Sequence, residues 1–311
     1  MTKNDLLECH DRIKPFIHNT PVLTSSQINK IAGAELYFKC DNFQKMGAFK
    51  MRGATNAILQ LSDEQKKRGV VTHSSGNFAQ ALSLAANNIG VKAYIVMPST
   101  ATEIKKIAVK DYLGELIECE PTLQAREIAT KKIEQSKGAT FIHPSNDDNV
   151  ILGQGTACKE LLEDYNDLEY VLTPVGGGGL IAGSALAAKF FGNKCKVIGA
   201  EPFEADDAYR SLKNGKIETN ITTNTIADGL KTQLGDKNFP IIQEEVHSII
   251  RITEIEIIQS MKIIWERLKI ICEPSCALPL AAVLKNKNFF EAKKLGVIIS
   301  GGNVDLNNLP F

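Results

Sequence analysis

The segment YVLTPVGGGGLIAGSALAAKFF, residues 170–191, reads as a strand, a glycine loop and a helix. YVLTPV is short, apolar and rich in strand-forming residues, and LIAGSALAAKFF suits a buried helix. Between them stand Gly176, Gly177, Gly178 and Gly179, followed by Leu180. Without Cβ atoms, four glycines let backbone N–H groups close on an anion, and the helix start adds its positive dipole end. A phosphate is the expected ligand. The same loop also fits a dinucleotide fingerprint, because Gly177, Gly179 and Ala182 follow G-x-G-x-x-A and Glu201 ends the next strand about 20 residues on. Taken alone, the loop serves a nicotinamide dinucleotide or another phosphate-bearing cofactor equally well. No GxxxxGK[ST] occurs, which excludes a P-loop.

The strand–loop–helix pattern recurs on both sides of this segment. Strands are expected at 35–40, 69–74, 91–98, 115–120, 139–144, 170–175, 196–201, 248–253 and 296–300. Helical patterns fill the intervals at 77–88, 102–113, 122–137, 149–164, 180–191 and 254–270. Such alternation predicts α/β architecture with mostly parallel sheets, and the apolar strand runs predict sheets covered on both faces. Four polar or glycine-rich segments follow strands and precede helices: SSGN (74–77), GGGGL (176–180), EPFEADD (201–207) and SGGN (300–303). Ligands of open α/β sheets bind outside the carboxyl ends of strands, so these segments are expected to converge.

Composition removes several alternatives. Lys plus Arg and Asp plus Glu both number 36, so net charge gives no reason to expect nucleic acid or an anionic membrane as partner. No apolar run is long enough to span a bilayer, and MTKNDLLECHDRIK lacks the apolar core of a signal peptide. The seven cysteines follow no repeating spacing, and the lone CxxxC of Cys272 and Cys276 has no second pair to complete a zinc site. Free thiols in a reducing cytoplasm are expected.

MGAFKMRGA (46–54) places Lys50 among Phe49, Met51 and Arg52. Apolar neighbours and a second cation lower a lysine's pKa toward the range of a nucleophilic amine. Spacing alone leaves a solvated lysine at a helix start as the stronger reading. The ordered set AFKMRGA, SSGN, GGGGL and SGGN decides otherwise. It resembles the fold-type II pyridoxal-phosphate (PLP) enzymes, and within them the serine racemase, serine/threonine dehydratase and threo-3-hydroxyaspartate dehydratase group. The resemblance runs from about residue 15 to residue 305, nearly the whole chain.

The resemblance implies a tryptophan synthase β-like α/β fold of two three-layer, parallel-sheet domains with the active site between them. The large domain would comprise 1–68 and 147–311, the small one 69–146. Lys50 would be the Schiff-base lysine, with Phe49 against the cofactor ring. Gly176 to Gly179 and the Leu180 backbone would hold the phosphate. Asn77 would bond the ring hydroxyl, Ser300 would meet the pyridine nitrogen, and Gly229 of ADGL would lie beside the cofactor. Ser74, Ser75, Gly76 and Asn77 would grip the substrate carboxylate, with Arg126 and Ser145 on the substrate side. A homodimer is implied as well. The chain ends soon after SGGN, so no separate amino-acid-sensing domain is expected.

Two marks separate subgroups. Dedicated dehydratases commonly carry SAGN where this chain has SSGN, and Ser75 would be the acid–base group on the Cα face opposite Lys50. Its alternatives are a carboxylate contact or a helix cap. GAEPFEADDAY (199–209) resembles a segment that binds Mg²⁺, Mn²⁺ or Ca²⁺ through Glu201, the Ala205 carbonyl and Asp207. Two positions depart from the pattern: Ser145 stands where vertebrate-type serine racemases have Asn, and Cys276 where Gly is frequent. The expected activity is racemisation and β-elimination of serine or threonine. 3-Hydroxyaspartate elimination or aspartate racemisation is the alternative, and a Ser-containing loop near Arg126 favours an acidic substrate.

Overall fold

The computed structural model describes residues 1–311. Its strands are β1 (Val22–Leu23), β2 (Glu35–Cys40), β3 (Val70–His73), β4 (Ala93–Pro98), β5 (Glu115–Cys119), β6 (Thr140–Phe141), β7 (Tyr170–Pro174), β8 (Lys196–Pro202), β9 (Val246–Ile252) and β10 (Lys294–Ile299). One sheet has the order β5-β4-β3-β6 and is parallel throughout. The other has the order β1-β2-β10-β7-β8-β9, in which only β1 pairs antiparallel. All nine expected strands form. The stretch 139–144 shortens to Thr140–Phe141, because the chain turns where the His143 ring accepts hydrogen bonds from the Ser145 and Asn146 N–H groups. β1 has two residues, too few to show a period.

Apolar runs become central strands. β7, β8 and β10 are buried almost end to end, whereas the edge strands β5 and β9 keep half-exposed positions. One continuous apolar cluster links Leu82 and Ile95, on the side of the four-stranded sheet, to Val171 and Ile298 of the six-stranded sheet.

The helix Lys50–Leu59 is the element that places the lysine. It packs between the helices Asn77–Ile89 and Asp148–Asp164. A Cβ on Gly153 would lie 2.5 Å from the Gly53 Cα, so the approach to Asp148–Asp164 is open only to glycine there. Arg52, two residues along, is wholly buried and bonds Asp41 and Glu160 at 2.7 Å each. Its charge is therefore spent on tying this helix to the core. That corrects the expectation that Arg52 acts on Lys50 as a second cation. All seven cysteines are free thiols. No helix is long and apolar enough to cross a membrane.

Candidate active site

The ends of β3, β7 and β10 open onto one cavity of about 1420 Å³. It is lined by Phe49, Lys50, Ser74, Ser75, Gly76, Asn77, Arg126, Ser145, Gly176 to Gly179, Leu180, Gly229 and Ser300. Every candidate proposed for cofactor and substrate thus lies on one surface, although they span 250 positions of sequence from Lys50 to Ser300. Glu201, Ala205 and Asp207 lie outside that lining.

Lys50 is half-buried, and its Nζ donates to the Pro144 carbonyl at 2.7 Å. The same Nζ lies 4.9 Å from the Phe49 ring centroid and 5.7 Å from that of Phe78. Burial pulls its pKa down to about 8, against the opposing attraction of Glu273. An amine in that range is partly deprotonated near neutral pH and can act as nucleophile or base.

Facing it is the glycine loop. Gly178 has φ +81° and is the N-cap of the helix Gly179–Phe191, with no side chain capping it. The first N–H groups of that helix therefore lack intrahelical partners and are open to an anion. A Cβ on Gly177 would lie 2.4 Å from Ser145 Oγ. Ser145 is buried against this loop, so its hydroxyl lies at the glycine loop.

The loop after β3 also holds an uncommitted hydroxyl. Ser74 Oγ accepts from the Gly76 N–H at 3.3 Å, while the half-buried Ser75 has no hydrogen-bond partner in the chain. Gly76 caps the helix that begins at Asn77, and no side chain takes part, so Ser75 is not a helix cap. Arg126 spends only its Nε, on the Thr122 carbonyl at 3.4 Å, leaving the fork of the guanidinium free at the cavity wall.

Sequence reading missed four residues here. Glu273 is 4% exposed and takes the Asn77 Nδ2 on both carboxyl oxygens, at 2.9 and 3.1 Å. Asn303 donates to Asn77 Oδ1 at 2.9 Å, which fixes the Asn77 amide and leaves one lone pair of that oxygen open. Burial pushes the Glu273 carboxyl up to about 7, with Asp228 adding to the effect and Asn77 opposing it. His73 and His143 line the same cavity, their ring centroids 6.2 Å apart. Burial, then the neighbouring His73 and Lys50, lowers His143 to about 4. With Nδ1 accepting two backbone bonds, its proton is assigned to Nε2. EPSCA, HPSNDDN and SGGN signalled three of these segments, but nothing local marks a buried carboxylate as the partner of Asn77.

The donor set suits PLP. It offers an anion cradle, a lysine of lowered pKa, a polar ring-edge contact at Asn77 and a buried serine, Ser300, on the remaining side. The comparisons agree. The model of the family described as "Pyridoxal-phosphate dependent enzyme" matches residues 13–301. A β-hydroxyaspartate dehydratase of Paracoccus denitrificans is 48% identical, covering 100% of this chain and 98% of the relative. A serine racemase of Dictyostelium discoideum is 50% identical, covering 99% and 97%. The crystal structure of the Dictyostelium discoideum serine racemase superposes with a TM-score of 0.94 at 51% identity, covering 98% of this chain and 99% of that one. These matches decide between the two readings of the glycine loop and remove the nicotinamide one. The fold is that of a fold-type II PLP enzyme, and the chain belongs to the pyridoxal-phosphate-dependent enzyme family.

Proposed function

We propose that the protein is a PLP-dependent racemase and ammonia-lyase of small β-hydroxy amino acids, serine, threonine and threo-3-hydroxyaspartate among them. The observation that carries this reading is the meeting of Lys50, the glycine loop and the SSGN loop in one cavity. The residues 69–146 and their four-stranded sheet would form one wall, and the rest of the chain the other. Bound PLP supplies the electron sink that acidifies the substrate Cα–H. Lys50 would hold the cofactor, and its free amine would take that proton. Ser74, Gly76 and Asn77 hold the substrate carboxylate, and Ser75 offers its hydroxyl to the other face of Cα. Phe49 and Phe78 keep water from Lys50.

The test is a panel of L-serine, D-serine, L-threonine, L-threo-3-hydroxyaspartate and L-aspartate on the holoenzyme, scoring keto acid and D-isomer together. Keto acid is expected from the hydroxy amino acids, and only racemisation from aspartate, which has no β-hydroxyl to expel. Absence of both products from all five substrates would overturn the reading. The free guanidinium fork of Arg126 favours substrates with a second carboxylate. A charge-assisted bond there is expected to raise kcat/KM for 3-hydroxyaspartate over serine by about 10–100-fold, a gap that Arg126→Ala closes.

We also propose that Glu201, the Ala205 carbonyl and Asp207 hold Mg²⁺, Mn²⁺ or Ca²⁺. No three His, Cys, Asp or Glu side chains cluster as a metal site, and this set is instead two carboxylates with a backbone oxygen. Both carboxylates are 0% exposed, neither has a salt-bridge partner, and Asp207 Oδ1 is buried without any hydrogen-bond partner. That is an environment a hard cation completes. Asp207 Oδ2 accepts from the Leu234 N–H at 3.0 Å, and Leu234 packs on Gly178, so the ion would brace the anion loop from behind. Chelation is expected to lower the melting temperature of the holoenzyme, and Mg²⁺, Mn²⁺ or Ca²⁺ to restore it. An Asp207→Ala variant that responds to these ions just as the parent does would refute the ligand set.

A further inference from the structure

Ser300 is held by its backbone from two sides. Its carbonyl accepts from the Phe49 N–H at 2.9 Å, and the next residue, Gly301, bridges Ala48. The side chain is 2% exposed, so the one freedom left to it is the direction of its hydroxyl. That hydroxyl has a single partner in the chain, the Cys276 Sγ at 3.2 Å. The thiol is itself pinned. It accepts from the Gly301 N–H at 2.8 Å and donates to the Gly301 carbonyl at 2.7 Å, and its side chain is 0% exposed.

We propose that Cys276 is a positioning residue for the cofactor, acting through Ser300. The inference rests on the PLP reading of the cavity and extends it to a side chain that does not line the cavity. With the thiol proton directed to the Gly301 carbonyl, the sulfur presents a lone pair to Ser300. The serine has one proton and two acceptors to choose from, the sulfur and the ring atom it faces. A sulfur is a weak acceptor, so it competes only mildly with that ring atom for the proton. An alanine or glycine at 276 would leave the rotor without a second partner, and an oxygen there would compete more strongly for the proton.

The test reads the visible absorbance of the purified holoenzyme against pH, with no substrate present. Cys276→Ala is expected to move the midpoint of that titration by about 0.4–1 pH unit, the equivalent of one ordinary hydrogen bond. Cys276→Ser, whose oxygen competes more strongly for the Ser300 proton than sulfur does, is expected to move the midpoint in the opposite direction to Cys276→Ala. Steady-state rates are expected to follow, with kcat lowered about 2–10-fold and KM within about twofold. In a Ser300→Ala background neither substitution at 276 moves the midpoint further. Where Cys276→Ala does not fold, Cys276→Ser alone and combined with Ser300→Ala carry the same comparison. A Cys276→Ala or Cys276→Ser titration that superposes on the parent overturns the proposal, as does a shift that persists when Ser300 is alanine. Failure of the PLP reading itself would be visible separately, as a parent protein with no cofactor absorbance.

Discussion

Lys50→Ala is expected to abolish turnover and the covalent attachment of PLP, a loss above about 10⁴-fold, or more than about 5.4 kcal/mol of barrier. Two functions leave together, the bond to the cofactor and the base that takes the Cα proton. The fold should not follow. The folded state lowers Lys50 to about 8 by burial, so its charged form is disfavoured relative to the unfolded chain. That destabilisation is present in full below about pH 8 and disappears as both states lose the proton at higher pH. Removing the ammonium at pH 7 therefore relieves a cost, and only the bond to the Pro144 carbonyl is lost. The melting temperature of Lys50→Ala at pH 7 is expected to match or exceed that of the parent apoprotein. The same pKa sets the loading reaction: capture of added PLP by the parent apoprotein should accelerate as pH rises through about 8, and Lys50→Ala should show no such step. A folded Lys50→Ala protein that turns substrate over would sink the mechanism.

Ser75→Ala is expected to separate racemisation from elimination. Lys50 alone can remove the Cα proton of an L-substrate and complete the loss of the β-hydroxyl. It cannot return a proton to the face of Cα that it does not reach. Ser75 has a hydroxyl with no partner in the chain and lines the same cavity. Loss of one acid–base group slows its own step by about 10²–10⁴-fold. D-isomer formation and elimination from the D-substrate should fall by that factor, while keto acid from the L-substrate persists. A half-buried serine without hydrogen bonds contributes little to stability, within about 0.5 kcal/mol, so a folding defect does not explain such a split. Deuterium wash-in at Cα, D-isomer and keto acid should be measured on one preparation. Equal loss of all three would reduce Ser75 to a carboxylate contact, and undiminished D-isomer formation would move the second acid elsewhere.

The elements were legible because the central strands are buried on both faces. β7, β8 and β10 have to be apolar along nearly their whole length, and their runs are visible in the sequence. β6 was overextended because an apolar run shows burial but not where pairing stops, and the His143 turn cuts it short. The cavity's polar loops were legible for a related reason. A parallel sheet gathers strand ends on one side, so SSGN, GGGGL and SGGN meet without being neighbours in the chain.

Arg52 marks the limit of local reading. Two positions from Lys50 it reads as a second cation for the site, yet a helix turns adjacent side chains in different directions, and this one meets Asp41 and Glu160 in the core. Glu273 is the converse case, a carboxylate far along the chain that the fold delivers to Asn77.

By itself, the sequence determined what depends on residue type and order: the α/β alternation, the anion loop, the lysine and the set of strand-end motifs. The tertiary structure alone decided what depends on distance and burial. It set how far the Lys50 pKa falls, spent Arg52 on the core, brought Glu273 and Asn303 to the Asn77 amide and set Cys276 against Ser300. Residue identity fixes which groups can form a bond. Solvation and partner choice arise only when segments distant in sequence are packed within a few ångströms of one another.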